Sequence, residues 1–94
     1  MIIAVDFDGT LEHNGVPNLP LIERLQHAQR CGHTVILWTC RDGHSLREAM
    51  EFLRGHGLRP NYANQNAPAA LRYVGHDSRK IYADIYIDDK AVKP

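Results

Sequence analysis

Residues 1–10 read M-I-I-A-V-D-F-D-G-T, a short run of apolar, largely β-branched residues that ends in two carboxylates and a glycine. A run of this kind is typical of a buried parallel strand that leads into a turn. Side chains alternate in direction along an extended strand, so Asp6 and Asp8 would point the same way. Gly9 then lets the chain turn sharply. The stretch therefore predicts a strand over residues 2–7 that ends in a pair of acids.

The rest of the chain alternates between patterns typical of helices and of strands. Apolar residues at helical spacing predict helices over residues 21–29 and 46–53. Ser45 and Glu48 would form a capping box at the start of the second helix. Shorter apolar runs predict strands over residues 34–39, 62–63 and 81–87, and a short helix over 69–74. This alternation implies right-handed βαβ units, so residues 1–94 should form a single α/β domain. We expect a compact, Rossmann-like, three-layer sandwich around a short, mainly parallel sheet.

Composition and charge narrow the class of protein. Hydrophobic residues make up 44% of the 94 residues and charged residues 23%, which is ordinary for one globular domain. The 11 basic and 11 acidic residues balance, so no overall field attracts nucleic acid or an anionic membrane. No apolar run approaches the length of a membrane span, and no basic leader precedes the first strand. Cys31 and Cys40 are too few for a disulfide framework, so we expect reduced thiols and a cytoplasmic protein.

Polar residues stand where the predicted strands end, namely Asp6, Asp8, Thr39, Asp88 and Asp89. Ligands of open parallel sheets collect at the carboxyl ends of the strands, so these side chains should converge in space. Four carboxylates in one place are costly unless a cation accompanies them. All-oxygen donors suit a hard ion, and a partly hydrated carboxylate site favours Mg²⁺ over Zn²⁺. The sequence therefore predicts a magnesium site.

A magnesium site of this kind points to phosphoryl chemistry. A phosphate dianion cannot approach bare carboxylates, because like charges repel each other. Mg²⁺ between Asp6 and a phosphate oxygen, with Lys80 and backbone N–H groups balancing the remaining charge, would permit in-line attack. Asp6 could then carry the phosphoryl group as an aspartyl-phosphate.

Four motifs resemble, in content and in order, the signatures of the haloacid dehalogenase superfamily. The first is V-D-F-D-G-T over residues 5–10, and the second is the apolar strand V-I-L-W-T that ends in Thr39. The third is Lys80, and the fourth is the apolar strand I-Y-I-D-D that ends in Asp89. The resemblance spans residues 2–89, which is nearly the whole chain.

The resemblance implies a Mg²⁺-dependent phosphatase. Asp6 would be the nucleophile, and Asp8 the general acid and then the base that activates water. Thr39 would hydrogen bond to the transferring phosphoryl group, and Lys80 would offset its charge, with Arg79 as the rival cation. The implied metal ligands are Asp6, Asp8 through its backbone carbonyl, Asp88 and Asp89, with Asp89 favoured as the direct ligand. The implied substrate-binding residues are Gly9, Thr10, Cys40 and Arg41.

The spacing of the motifs bears on substrate selection. Members of this superfamily with broad metabolite ranges carry a cap domain between the motifs. In this chain, residues 7–38 and 40–79 are all needed to form the scaffold itself. The resemblance thus implies a capless form whose substrate is a phosphorylated small molecule or macromolecule. Selection would come from loops, from a neighbour in a homo-oligomer, or from a large substrate that covers the site itself. Trp38, like Tyr73, Tyr82 and Tyr86, is predicted to pack in the core or at an interface rather than to form a platform on which bases stack.

Three alternatives stay open at this point. A phosphotransferase would use the same residues and differ only in its acceptor. A phospho-accepting signalling domain also combines an aspartate with Mg²⁺, Thr and Lys, but it carries its acidic pair on the first strand and not on the last. A binding module would keep the fold and lack the activity.

Overall fold

The computed structural model of the chain describes residues 1–65, 82–89 and 92–93. These residues form seven strands and two helices. In chain order the elements are β1 (Ile2–Val5), β2 (Glu12–His13), β3 (Val16–Pro17), α1 (Leu19–Arg30), β4 (Thr34–Leu37), α2 (Gly43–Gly55), β5 (Tyr62–Ala63), β6 (Ile85–Ile87) and β7 (Val92–Lys93). The helix predicted over residues 69–74 lies outside the described residues, as do Ile81 and Tyr73.

The main sheet has the strand order β5-β4-β1-β6-β7, with β1 at its centre. β1 pairs in parallel with β4 and with β6, and β4 pairs in parallel with β5. β7 runs antiparallel at one edge, and the sequence pattern did not predict it. Val5 is in register with Leu37 on one side and with Ile87 on the other. The prediction of an α/β fold with a mainly parallel sheet is confirmed, and the described residues include no cap domain.

Both described helices pack on one face of the sheet. The core on that face joins strand residues such as Val5 and Val35 to Ile22 of α1 and Leu53 of α2, all essentially inaccessible to solvent. The two crossovers, β1-α1-β4 and β4-α2-β5, run in the same direction across the sheet, so right-handed connections place their helices on the same side. A smaller cluster of Ala4, Ile36 and Ala83 lies on the opposite face.

The helix starts differ from those predicted. α1 begins two residues early because Asn18 caps it, with the Asn18 Oδ1 accepting a hydrogen bond from the Leu21 backbone N–H at 3.3 Å. α2 begins at Gly43, so the predicted capping box at Ser45 is wrong. The Ser45 hydroxyl instead donates to the Asp42 carbonyl oxygen at 2.9 Å, inside the first turn.

A two-stranded hairpin of β2 and β3 lies between β1 and α1, in a stretch where the sequence pattern predicted no element. Asn14 and Gly15 form its turn with φ values of 51° and 81°. Positive φ at both central residues is the pattern of a type I′ turn, for which Asn-Gly is strongly preferred. The signal was therefore present in the sequence, but the strands on either side are too short to show alternation.

The strands are also shorter than the apolar runs that predicted them. β1 ends at Val5 and β4 at Leu37, and β6 begins at Ile85. The backbone amides of Asp6 and Trp38 still bond to the neighbouring strands, and the residues after them form loops at the edge of the sheet. Within the described part of the chain, Cys31 and Cys40 are exposed free thiols, as predicted. No helix described here has the length and apolar character needed to span a membrane.

Candidate functional site

The carboxyl ends of β1, β4 and β6 meet at one edge of the sheet. The Asp6 backbone N–H donates to the Ile87 carbonyl oxygen at 2.9 Å, and the Trp38 N–H donates to the Val5 carbonyl oxygen at 2.8 Å. The three segments therefore leave the sheet at the same level. The chain runs from β1 to β4 and β5 on one side and returns to β6 on the other. This reversal beside β1 is where open α/β sheets form a ligand crevice.

A pocket of about 250 Å³ opens at this edge, lined by Asp6, Trp38, Thr39, Cys40, Asp88 and Asp89. Five of these six residues were predicted from the sequence as site residues. The exception is Trp38, which was predicted to pack in the core or at an interface. It is not in the core, and it is 43% exposed on the pocket wall.

Asp6 is half-buried among other acids. The Phe7 backbone N–H donates to its Oδ1 at 2.8 Å. Burial raises the pKa of the Asp6 carboxyl above its usual value, and the negative charges of Asp8, Asp89 and Asp88 raise it further. The hydrogen bond from Phe7 only partly opposes these effects. A cation beside Asp6 would favour its ionised form.

Asp8 lies in the opposite environment. Its side chain is exposed and is held by a two-pronged ion pair with Arg41, whose Nη2 donates to Oδ1 at 2.9 Å and whose Nε donates to Oδ2 at 3.0 Å. The hydrogen bonds and charge of Arg41 lower the pKa of the Asp8 carboxyl below its usual value. In this arrangement Asp8 is a carboxylate and not a proton donor.

Three further contacts hold the Arg41 guanidinium in place. Its Nη1 donates to the Ser45 carbonyl oxygen at 3.1 Å, in the first turn of α2. The guanidinium carbon lies 4.8 Å from the centroid of the buried Phe7 ring. Its Nη2 is 3.9 Å from Glu12 Oε2 on the hairpin. Arg41 thus links the β1 end, the hairpin and α2, and it does not line the pocket around Asp6.

Thr39 is positioned by a neighbour that the sequence analysis did not select as a site residue. The Asn64 side chain accepts from the Thr39 N–H at 2.8 Å and donates to the Arg41 carbonyl oxygen at 3.2 Å. The Thr39 hydroxyl oxygen accepts from the Arg41 N–H at 3.2 Å. Asn64 adopts a φ of 54°, in the left-handed region that Asn tolerates better than most residues. Such a residue reads as an ordinary turn former, and its pairing 25 residues away has no sequence signal.

Gly9 and Thr10 lie beside the pocket and not in it. Gly9 has a φ of 79°, and a Cβ built there would come 3.5 Å from the Asp89 Cβ. That distance is an ordinary van der Waals contact, so the positive φ, and not a lack of space, is what favours glycine at this position. Thr10 is 7% exposed, and its buried hydroxyl has no hydrogen-bond partner among the described residues. Both residues line a neighbouring cleft of about 400 Å³ that also reaches Asp88 and Asp89.

The acids present oxygen donors of the kind that hard cations prefer. Among the described residues, no three His, Cys, Asp or Glu side chains form a cluster arranged to hold a metal ion. Asp8 is turned toward Arg41, which leaves the Asp6 and Asp89 carboxylates, Asp88 and the Asp8 backbone carbonyl as the donors. Lys80 and its rival Arg79 lie outside the described residues, so the predicted phosphate-side cation stays a prediction.

Comparison with known proteins gives one informative match. A solved structure of a conserved protein coded by a locus of Bacteroides thetaiotaomicron is similar to this chain at 42% sequence identity and a TM-score of 0.81. The alignment covers 97% of this chain and 77% of the other. The chain matches no protein-family model and no curated protein.

Proposed function

We propose that this chain, which belongs to the same family as the conserved Bacteroides thetaiotaomicron protein, is a Mg²⁺-dependent phosphohydrolase of the haloacid dehalogenase type. The observation that carries the proposal is the pocket at the carboxyl end of the sheet, where Asp6, Thr39, Asp88 and Asp89 lie together. Its support from sequence is the order of the motifs, with D-x-D-G-T on the first strand and the acidic pair after a later one.

Asp6 is the nucleophile in this proposal. Its carboxylate attacks the phosphorus atom, the bond from phosphorus to the leaving oxygen breaks, and Asp6 carries the phosphoryl group until water releases it. The position of Asp6 supports this role, because its side chain lines the pocket while its backbone is fixed to β6. The Thr39 hydroxyl at the same pocket would hydrogen bond to a phosphoryl oxygen.

The donors at the pocket fit Mg²⁺. Asp6, Asp89 and the Asp8 backbone carbonyl would hold the ion, with Asp88 beside them, and all supply oxygen ligands. The raised pKa of Asp6 is the physical reason to expect a cation, since burial and, to a smaller extent, the neighbouring carboxylates disfavour its ionised form. Bound there, Mg²⁺ would reduce the repulsion between the carboxylates and the phosphate.

Asp8 has two roles in the proposal, and its ion pair with Arg41 suits one of them and opposes the other. The lowered pKa suits the second half of the reaction, in which a carboxylate accepts a proton from the attacking water. In the first half Asp8 must donate a proton to the leaving oxygen. Arg41 therefore has to release Asp8 before that step, and a substrate phosphate is an anion that can compete for the guanidinium.

The test is hydrolysis of p-nitrophenyl phosphate with and without Mg²⁺, in the wild type and in Asp6→Asn. Magnesium-dependent release of phosphate that is lost in Asp6→Asn supports the proposal. Asp84→Asn is the matched control, because Asp84 lies at the other end of β6 and an amide oxygen can still accept its hydrogen bond from the Ile2 N–H. Absence of turnover with any divalent metal would contradict the proposal and favour a binding module.

Two further readouts separate the remaining alternatives. Added alcohols that take up the phosphoryl group in place of water would identify a phosphotransferase. An aspartyl-phosphate that persists for minutes, and not for seconds, would identify a signalling domain.

A further inference from the structure

We infer that Trp38 is a specificity-determining residue that selects phosphate esters whose leaving group carries an uncharged aromatic ring. This inference rests on the proposed function and names the class of substrate for that same pocket. It concerns the part of the substrate that departs, and not the phosphoryl group that Asp6 receives.

Trp38 lies beside the nucleophile at the end of the sheet. It directly follows β4, and its backbone N–H is bonded to Val5, the residue before Asp6. Trp38 and Asp6 therefore leave adjacent strands at the same level and line the same pocket. A side chain at this place is within reach of a group bound to Asp6.

The residues that line the pocket have different roles in the proposed reaction. Asp6, Asp88 and Asp89 serve the nucleophile and the metal, and Thr39 serves the phosphoryl group. Of the described lining residues, this leaves Trp38 and Cys40 to contact a leaving group. In-line attack places the leaving oxygen on the side of phosphorus opposite Asp6, so the leaving group points away from the nucleophile toward the pocket mouth.

The indole of Trp38 is exposed, and a neighbouring ring holds its orientation. Trp38 is 43% exposed, although the preceding residue, Leu37, is fully buried. The indole meets the Tyr86 ring in a T-shaped contact, with the ring centres 5.7 Å apart and the planes at 70°. This contact holds the indole in place, so little conformational entropy is lost when a ligand packs against it.

The chemistry of the pocket favours a neutral ring. Exposed indole surface gains most from contact with another flat aromatic group, through stacking or edge-to-face packing. The carboxylates of Asp88 and Asp89 on the same pocket would repel a leaving group with its own negative charge. An aryl-bearing alcohol or a nucleoside satisfies both conditions.

The experiment compares three esters whose leaving alcohols have the same reactivity: 2-phenylethyl phosphate, 2-cyclohexylethyl phosphate and n-butyl phosphate. Because all three alcohols are primary alkyl alcohols, differences in kcat/KM report on contact with the ring and not on bond cleavage. Base stacking on an aromatic side chain is worth enough to give a preference of roughly tenfold for the phenyl ester over the butyl ester in the wild type. The cyclohexyl ester should lie closer to the butyl ester, because it is apolar without being aromatic.

Variants assign the preference to Trp38. Trp38→Leu keeps an apolar side chain against Tyr86 and should bring the phenyl-to-butyl ratio to within about twofold of one. Trp38→Phe should keep most of the ratio. Leu19→Ala, another exposed apolar residue that does not line this pocket, should leave the ratio at its wild-type value. Circular dichroism of each variant verifies that it is folded. If Trp38→Leu does not fold, the fluorescence response of Trp38 in the wild type tests the inference in its place.

The outcomes are distinguishable. Turnover of all three esters without a preference, an equal preference for the cyclohexyl ester, or a preference that survives in Trp38→Leu would overturn the inference and leave the proposed function standing. Absence of turnover of every ester would remove the proposed function and the inference with it. Because Trp38 is the single tryptophan of the chain, a change in its fluorescence on addition of 2-phenylethyl phosphonate, larger than with n-butyl phosphonate, gives a second readout that does not depend on turnover.

Discussion

Asp6 and Asp8 are separated by one residue, yet their surroundings are opposite. Asp6 is half-buried among acids, and the pKa of its carboxyl is raised. Asp8 is exposed and held by Arg41, and the pKa of its carboxyl is lowered. In a strand the two side chains would point the same way, but β1 ends at Val5, so the acids stand on a loop that turns them toward different partners. Environment, and not residue type, thus separates the roles of two identical side chains.

The largest expected effect comes from removing each acid in turn. Asp6→Asn should abolish turnover and leave no trapped aspartyl-phosphate, a loss of about 10⁴-fold or more in kcat. Asp8→Asn should lower kcat by about 10²- to 10⁴-fold and still allow the phosphoryl group to reach Asp6. Rapid-quench measurement of the covalent intermediate distinguishes the two variants. If both variants formed the intermediate, the distinction between Asp6 and Asp8 would be wrong.

The next effect concerns the ion pair that makes Asp8 different. Arg41→Gln should raise the pKa of Asp8 toward its ordinary value, because the charge and hydrogen bonds that lower it are lost. The part of the pH profile of kcat/KM that the ionisation of Asp8 controls should therefore move to higher pH. The value of kcat/KM should also fall by about ten- to a hundredfold.

The same variant has a small effect on stability. A lowered pKa in the folded protein stabilises it above the unfolded-state pKa of about 3.9, and this contribution is lost as the pH falls through the folded-state value. For an exposed pair it amounts to under about 1 kcal/mol at neutral pH. Arg47→Gln, an exposed arginine of α2, serves as the control for both measurements. An unchanged pH profile in Arg41→Gln would show that Arg41 does not govern Asp8.

A smaller effect is expected at Asn64, which holds the loop that carries Thr39 and Arg41. Asn64→Ala removes two hydrogen bonds to that loop. It also places alanine at a φ of 54°, in the left-handed region that asparagine tolerates better. We expect kcat/KM to fall by roughly tenfold, corresponding to about 1–2 kcal/mol. Gln65→Ala is the adjacent control, and its steady-state kinetics should match those of the wild type. Equal kinetics in Asn64→Ala would mean that the loop keeps its shape without Asn64.

The smallest effect concerns the stability of the metal-free protein. A raised pKa means that the folded state binds the proton more tightly than the unfolded state, so Asp6 stabilises below about pH 3.9 and this contribution is lost as the pH rises through its folded-state value. At neutral pH, burial and the neighbouring acids disfavour the negative charge of Asp6, and Asp6→Asn removes that charge. The variant should therefore have a melting temperature roughly 2–4 °C higher than the wild type in the presence of a chelator. Added Mg²⁺ should stabilise the wild type more than the variant. Identical melting curves for the two proteins with chelator would contradict the environment described for Asp6.

Much of the fold could be predicted because apolar runs and helical spacing are local signals. The strands β1, β4 and β5 and both helices lie where the pattern predicted them, although their ends differ by a few residues. The start of α2 was wrong because Ser45 and Glu48 match a capping box by spacing alone, whereas the chain already turns into the helix at Gly43. The antiparallel edge strand β7 is two residues long, which is too short for any periodic signal.

The site residues that could be predicted from the sequence are those that stand at the ends of strands. Asp6, Thr39, Asp88 and Asp89 were found because parallel strands bring their carboxyl ends together. The partnership of Arg41 with Asp8 joins residues 33 positions apart, and no local pattern specifies it. Trp38 was predicted to pack in the core or at an interface, whereas its exposure depends on where β4 ends.

The central position of β1 in the sheet affects how the protein unfolds locally. The amides of Asp6 and Trp38 are bonded to carbonyl oxygens of β6 and β1, inside a ladder flanked by β5 and β7 at its edges. Local opening begins where fewest bonds and contacts must break, so the edge strands should exchange their amide hydrogens with solvent first. The amides that hold the nucleophile in register should exchange only when the middle of the sheet comes apart. The site would then persist through partial unfolding events that release the edges.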